Sequence, residues 1–229
     1  MPLNKVAGNM YGWITHTYNV IKGMCPHGCS YCYMKRWGKQ SPTHFDEKEL
    51  NTNLGSGNFI FIGSSCDMFA DDIPGAWIVR TLDKANRHDN RYLLQSKNPG
   101  RFINYHAILP TEKYVLCTTI ETNENFECMG KSPSPYDRIE AMIRLRQMGY
   151  EIMITIEPIL NFGEGFLQLL KMCQPIQINI GADSGNNHLP EPSPEKIAAL
   201  IEALRGFTRV HLKKNLRRIL PESRYYENA

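Results

Sequence analysis

Seven short runs of apolar and β-branched residues punctuate the chain, at 18–22, 58–63, 91–97, 114–121, 151–156, 176–181 and 209–213. Between several of them the spacing turns helical. Residues 73–86 carry a proline near their first turn, which suits a helix start. Residues 137–148 place Ile139, Met142, Ile143, Leu145 and Met148 three or four apart, and Gly149 follows as a stop. Ser193-Pro194-Glu195 reads as an N-cap, a proline in the first turn and an acid facing the helix dipole. The helix it opens runs through Ile197, Leu200, Ile201 and Leu204 to Gly206. Strand and helix alternating in this way dictate βαβ units and a parallel α/β sheet. Such a sheet holds its ligands at the carboxyl ends of its strands. Six or seven strands are too few for a closed eight-stranded barrel. The expectation is one domain over 1–229, built as an open, partial parallel barrel. A doubly wound flat sheet is the alternative that the linear pattern leaves open.

Composition narrows the function classes. Lys and Arg number 26 against 23 Asp and Glu, a net charge of +3 that neither demands nor excludes nucleic acid. Apolar residues at 42% and charged residues at 21% are those of a folded chain. No apolar stretch is long enough to span a membrane, and the first residues lack the apolar run of a signal peptide. Seven cysteines, an odd number, fit a reducing cytoplasm better than a disulfide framework.

Three of those cysteines carry the strongest chemical signal. Cys25-Pro-His-Gly-Cys29-Ser-Tyr-Cys32 is a CxxxCxxC motif in a loop, 24–33, just after the first strand run. A [4Fe–4S] cube is normally held by four cysteines. Three would leave one iron open to a substrate or cofactor. Gly28 gives the loop the backbone freedom a tight wrap requires. The alternative is a structural zinc, which wants four closed ligands. His27 could hardly reach the same ion without strain, and His16 or His44 would need a fold-back.

The motif, with Tyr31 before its last cysteine, resembles the signature of the radical S-adenosylmethionine (SAM) superfamily. A closer resemblance runs through Thr17-Tyr18-Asn19, Gly23-Met24-Cys25, Phe61-Ile62-Gly63-Ser64-Ser65-Cys66-Asp67-Met68-Phe69 and Leu94-Gln95-Ser96-Lys97. It continues through Thr119-Ile120-Glu121, Ile156-Glu157-Pro158-Ile159 and Gly181-Ala182-Asp183-Ser184-Gly185. In this order they are similar to a phage-associated radical-SAM-like family of unassigned function, grouped near the spore photoproduct lyases. Cys66 stands where that family is expected to carry serine.

The resemblance implies a partial (β/α)6 barrel with a [4Fe–4S] cluster on Cys25, Cys29 and Cys32. The open iron would chelate SAM, and a donor such as flavodoxin or ferredoxin would reduce the cluster. SAM would then be cleaved to a radical that abstracts hydrogen from a substrate, here expected to be a nucleic-acid base or nucleotide. It further implies that Tyr31 lies against the adenine of SAM. Ser64, Ser65 and Asp67 would receive its amino group, as hydroxyls and a carboxylate suit an ammonium. Their plainer reading is a turn capping the next helix. Spore photoproduct lyases use a further cysteine as a hydrogen-atom donor, which makes Cys66 the candidate here. Its plainer reading is a small buried hydrophobe. Cys117, Cys128 and Cys173 read as structural.

The residues add candidates of their own. Thr119 and Glu121 share one strand face, as do Thr155 and Glu157. A carboxylate inside a barrel is costly unless it binds something or is paired, and Lys97 and Lys213 lie where they could pair. Glu121, Glu157, Asp183 and Lys213, all at strand ends, are therefore expected to hold SAM and substrate, or to form ion pairs at the barrel mouth. The glycines around Asp183 would let a purine approach the backbone. Six cations between 205 and 218, with Tyr225 and Tyr226 beyond, could follow a phosphate backbone or form a solvated face. A non-enzymatic nucleic-acid-binding module, holding structural zinc or a redox-sensing cluster, is the alternative function.

Overall fold

The computed structural model describes residues 3–6 and 11–226. The outermost residues of the expected domain, 1, 2 and 227–229, lie outside the described residues. The chain enters through β1 (Asn4–Lys5), antiparallel to β2 (His16–Tyr18). It then leaves the sheet for a two-stranded ribbon of β3 (Ile21–Lys22) and β4 (His44–Phe45). Six further strands follow: β5 (Phe59–Ile62), β6 (Arg91–Gln95), β7 (Tyr114–Thr119), β8 (Glu151–Ile156), β9 (Gln177–Ile180) and β10 (Arg209–Leu212).

From β2 to β10 the strands of this sheet pair in parallel and in chain order. A doubly wound sheet needs a point where strand order reverses. There is none, so the sheet winds in one direction and ends, unclosed, at β1 and β10. It is the open, partial barrel, and the flat doubly wound alternative falls.

The crossovers are α1 (Gly75–Asn86), a run of 3₁₀ turns over Pro99–Ile108, α2 (Pro135–Gln147), α3 (Phe166–Met172) and α4 (Pro194–Arg205). Strand alternation sorts the two faces. Ile60, Ile62, Tyr92, Leu94, Leu116, Ile152, Ile154 and Ile178 pack with the helices in the main core. Phe61, Leu93, Val115, Cys117 and Met153 form a smaller core on the other face with Tyr11 and Ile14. Two residues further along the strands that inner face becomes polar, at Gln95, Thr119, Thr155 and Asn179. The Tyr11 hydroxyl bridges it, 2.7 Å from Thr155 and 2.9 Å from Gln95.

The expected starts of α1 and α2 move by two residues. Ser134 and Asp137 cap each other's backbone N–H, which fixes α2 at Pro135. The run 18–22, expected as one strand, is split. Tyr18 is the last residue in register with β5, and Asn19 then turns the chain out. Its side chain accepts from Ser65 N (3.0 Å) and bonds the Ser64 hydroxyl (3.1 Å), tying the exit to the end of β5. That exit launches the cysteine loop. The turns at Pro99–Ile108 and the seven-residue α3 had no periodic signal in the sequence.

Candidate functional site

The cysteine loop lies between β3 and β4, above the carboxyl ends of the parallel strands. Its Gly28 sits at φ 68°, and its floor is residues 128–131. Ser30 N donates to Cys128 O (2.9 Å), Lys131 N to His27 O (2.7 Å), and Cys29 Sγ to Met129 O (3.2 Å). A Cβ on Gly130 would stand 2.1 Å from His27 O, so only glycine permits this approach. Cys128 was expected in a loop; it belongs to a short 3₁₀ turn of this floor, Glu127–Met129. The three thiols feel one another. Burial raises the Cys29 and Cys32 pKa, Lys97 opposes it, and Cys25 adds to the rise in both.

Asp67 fastens the loop to the sheet. Its carboxylate accepts from His27 Nε2 (2.9 Å), Ser96 Oγ (3.0 Å), Lys97 N (2.8 Å) and Phe69 N (3.0 Å). Burial alone would raise its pKa, but the His27 contact and the two backbone N–H groups outweigh it and hold the carboxyl below the usual range. Asp67 caps no helix, because α1 begins at Gly75 with Pro74 as its N-cap. It closes its own turn at Phe69. The same bond engages the ring of His27, the sequence's nearest fourth ligand for zinc.

Glu121, fully buried just past β7, is the centre of a second network. One oxygen accepts from the Tyr31 hydroxyl and Lys97 Nζ, and the other from Arg138 Nη1 at 2.7 Å. Lys97 also donates to the Tyr31 hydroxyl (2.9 Å) and lies 4.9 Å from its ring centroid. Burial pushes the Glu121 pKa up, but Lys97 and Arg138 reverse this and bring it down to about 2. Tyr31, expected against an adenine, thus has its hydroxyl committed to Glu121. Arg138, fully buried on α2, escaped the sequence reading.

Glu157, just past β8, pairs with Lys213 and accepts from Asn215 Nδ2 at 2.8 Å. Lys97 and Lys213, the cations the sequence offered for pairing, take Glu121 and Glu157 respectively. Gly181 serves the carboxylate, since a Cβ there would stand 2.8 Å from Glu157 Oε1. Asp183 is used by its own loop, accepting from Gly185 N (2.9 Å) and Asn187 Nδ2 (2.7 Å). Thr119 accepts from Gln95 Nε2 at 3.2 Å, inside the mouth.

Cys66 is 2% exposed and sits against Cys25. The neighbouring thiols act on each other, Cys66 drawing the Cys25 pKa down and Cys25 and burial pushing the Cys66 thiol up. Cys117 and Cys173 are buried in apolar surroundings, as expected. Ser64 is bonded to Asn19, but the buried Ser65 hydroxyl has no hydrogen-bond partner, nor has Asn215 Oδ1. Both lie at strand ends, where a ligand could satisfy them.

Four of the six cations at 205–218 are engaged within the fold, while Arg209 and Lys214 are exposed. Arg205 bonds Glu202 (3.1 Å), Lys213 pairs with Glu157, Arg217 lies 4.2 Å over the Tyr226 ring, and Arg218 pairs with Glu191. Tyr225 is buried. Neither tyrosine offers a free ring to a base.

Three thiolates on one loop are the donor type that an iron–sulfur cube takes. Among the described residues no three His, Cys, Asp or Glu side chains converge as a single-ion site would require. A cube offers each thiolate a different iron, so its ligands need not converge on one point. The clamped loop and the unpartnered Ser65 hydroxyl fit a cluster with a ligand beside it.

No protein-family model matches the chain, and no curated protein does. Solved structures do. Spore photoproduct lyase complexed with dinucleoside spore photoproduct gives a TM-score of 0.64 at 12% identity, over 90% of this chain and 78% of that one. A variant of that enzyme with bound AdoMet and dinucleoside spore photoproduct gives 0.54 at 14% identity, over 96% and 63%. Methylornithine synthase gives 0.52 at 12% identity, over 90% and 77%. The likeness shows the fold: this chain has the open, largely parallel α/β barrel of these proteins.

Proposed function

We propose that the chain is a radical SAM enzyme with a [4Fe–4S] cluster on Cys25, Cys29 and Cys32. The observation that carries this reading is the position of the three-cysteine loop, clamped over the strand ends of a barrel whose fold is that of radical SAM enzymes. A cluster bound there supplies the electron that cleaves SAM and starts hydrogen abstraction from the substrate. The chain's own residues do the rest. Ser65 and Asn215, with unpartnered oxygens, are proposed to receive polar groups of SAM or substrate. Ser64, Tyr31, Asp67, Thr119, Glu121, Glu157, Asp183 and Lys213 are proposed to join them, with the Lys97–Glu121 and Lys213–Glu157 pairs setting the charge of the mouth. Cys66, beside a cluster cysteine, is the proposed hydrogen-atom donor. A nucleic-acid base or nucleotide is the proposed substrate, supported by the dinucleoside held by a protein of the same fold. Reduction would come from a donor such as flavodoxin or ferredoxin, and seven unpaired cysteines suit a reducing cytoplasm. No helix among the described residues is long and apolar enough to cross a membrane. The order of the motifs supports a place near the phage-associated radical-SAM-like family.

The test is anaerobic purification with iron and sulfide analysis, followed by EPR of the reduced protein with and without SAM. About four irons per chain and a spectrum that shifts on adding SAM are expected. Zinc without iron after reconstitution would overturn the proposal in favour of the binding module.

A further inference from the structure

The segment that follows the cysteine loop carries an unusual surface. Tyr33–Trp37 forms 3₁₀ turns in which no residue is buried. Trp37 is 72% exposed and Tyr33 45%, with Met24 at 62% on the same loop. Large aromatic surface is costly to leave in water unless something covers it. Lys35, Arg36 and Lys39 stand among these rings, all exposed. In sequence the segment is cationic: the first 45 residues contain five Lys and Arg and no acid. Of those cations only Lys22 has an acidic partner among the described residues, in Asp46 and Glu49.

The segment lies on the rim of the barrel mouth. The Tyr33 hydroxyl donates to Ser64 O, beyond β5, and Arg36 Nη2 lies 3.4 Å from Ser184 Oγ, beyond β9. It therefore crosses from one lip to the other.

We infer that Tyr33, Lys35, Arg36, Trp37 and Lys39 form a binding surface for single-stranded nucleic acid. Every base has a face that can stack on an exposed ring, and the cations between the rings match the phosphates. A duplex keeps its base faces stacked inside and gains only the phosphate contacts. The inference deepens the proposed substrate class and places the polymer contact here, not on the basic stretch at 205–218.

The test is fluorescence anisotropy with the full chain and a short labelled thymidine oligonucleotide, over a salt series. Binding tighter to the single strand than to the matching duplex is expected. Trp37→Ala should weaken it about tenfold, and Trp37→Phe should keep most of it. Removing Lys35 and Arg36 together should lower the salt slope by about 0.7 per cation. Arg209→Ala, at the opposite end of the barrel, should change nothing. All these side chains are exposed, so unchanged thermal melting would show the variants folded. No binding at low salt, binding indifferent to Trp37, or a preference for anionic phospholipid vesicles or an acidic protein would overturn the inference. Iron content and SAM cleavage are measured separately. Strand binding without them would sink the enzyme reading alone, and their presence without strand binding would sink this one alone.

Discussion

Arg138 Nη1 lies 2.7 Å from Glu121 Oε2, and both side chains are completely buried. The guanidinium has come from α2 through the apolar face of its own helix. It also reaches Thr119 O (2.6 Å) and Pro133 O (2.8 Å), so the pair joins the end of β7 to the start of α2. With Lys97 and Tyr31 on the other carboxylate oxygen, the network ties the cysteine loop to the barrel frame.

The pair predicts an acid-sensitive stability. Burial favours the protonated form of Glu121, but Lys97 and Arg138 bring its pKa from the ordinary 4.5 to about 2. A depressed carboxylate contributes stability that is complete above its unfolded value and is lost as pH falls through its folded value. The contribution should therefore fade between pH 4.5 and about 2. Glu121→Gln leaves two cations without their counter-charge and should cost about 3–5 kcal/mol near neutrality. Denaturant unfolding at a series of pH values should show the gap between wild type and variant closing towards pH 2. A gap that stays constant would mean Glu121 holds no charge-dependent stability.

How far these pairs were legible depends on what each needs. A carboxylate at an inward strand position demands a cation, so Lys97 and Lys213 could be named from spacing alone. Arg138 could not, because nothing in an amphipathic helix marks one arginine as the member that turns inward. Glu121 is already balanced by Lys97, so no unpaired charge points to a second cation. The cysteine triplet and the strand runs were readable because their information is local. The Gly130 floor and the Asn19 hinge were not, since each acts through segments remote in sequence. The free aromatic surface read into Tyr225 and Tyr226 failed for the same reason, as their environments are set by tertiary packing.

Gly130 should prove more sensitive than its place in a surface turn suggests. Alanine there meets two obstacles, a φ of 64° and a Cβ only 2.1 Å from His27 O. The backbone conformation, φ 64° with ψ −134°, alone costs about 1–3 kcal/mol for a residue with a Cβ. The clash must push the cysteine loop off its floor. Gly130→Ala is expected to keep the barrel, seen by circular dichroism, and to lose most of its iron after reconstitution. Full iron content would show that the floor does not shape the cluster loop.

Asp67 separates a structural hub from a cofactor ligand. Four donors converge on its carboxylate, among them the ring of His27 and two backbone N–H groups. Asp67→Ala strands these buried donors and should destabilise the protein by about 2–4 kcal/mol. As a hub it should do so with or without iron and SAM. If only SAM affinity falls while the unfolding midpoint of the cluster-free protein stays put, the carboxylate serves the ligand instead.

The proposed role of Cys66 as hydrogen-atom donor predicts an effect on product rather than on SAM cleavage. Cys66 follows Ser65 beyond the end of β5, and its thiol neighbours that of Cys25. Cys66→Ala should leave iron content and reductive SAM cleavage intact while altering the product, because the weak S–H bond that could return hydrogen is gone. Mass spectrometry of the products in deuterated buffer would show it. Unchanged product, label and turnover would assign Cys66 to packing.

Ser65 gives a prediction of opposite signs in two assays. Its hydroxyl is buried with no partner, and a buried polar group without one costs about 1–3 kcal/mol. Its backbone is already fixed by Asn19, which accepts from Ser65 N at 3.0 Å. Ser65→Ala therefore removes an unmet demand without loosening the turn. The ligand-free variant should melt at the same temperature as wild type or higher. If the hydroxyl receives a polar group of SAM, that bond is lost at the same time, and SAM affinity should drop by about fivefold to tenfold. Melting curves of the unliganded protein and titration of the reduced EPR signal with SAM measure the two effects independently. A stability gain joined to an affinity loss would mark Ser65 as a group held ready for ligand. A destabilised variant that binds SAM normally would show that its partner lies within the fold.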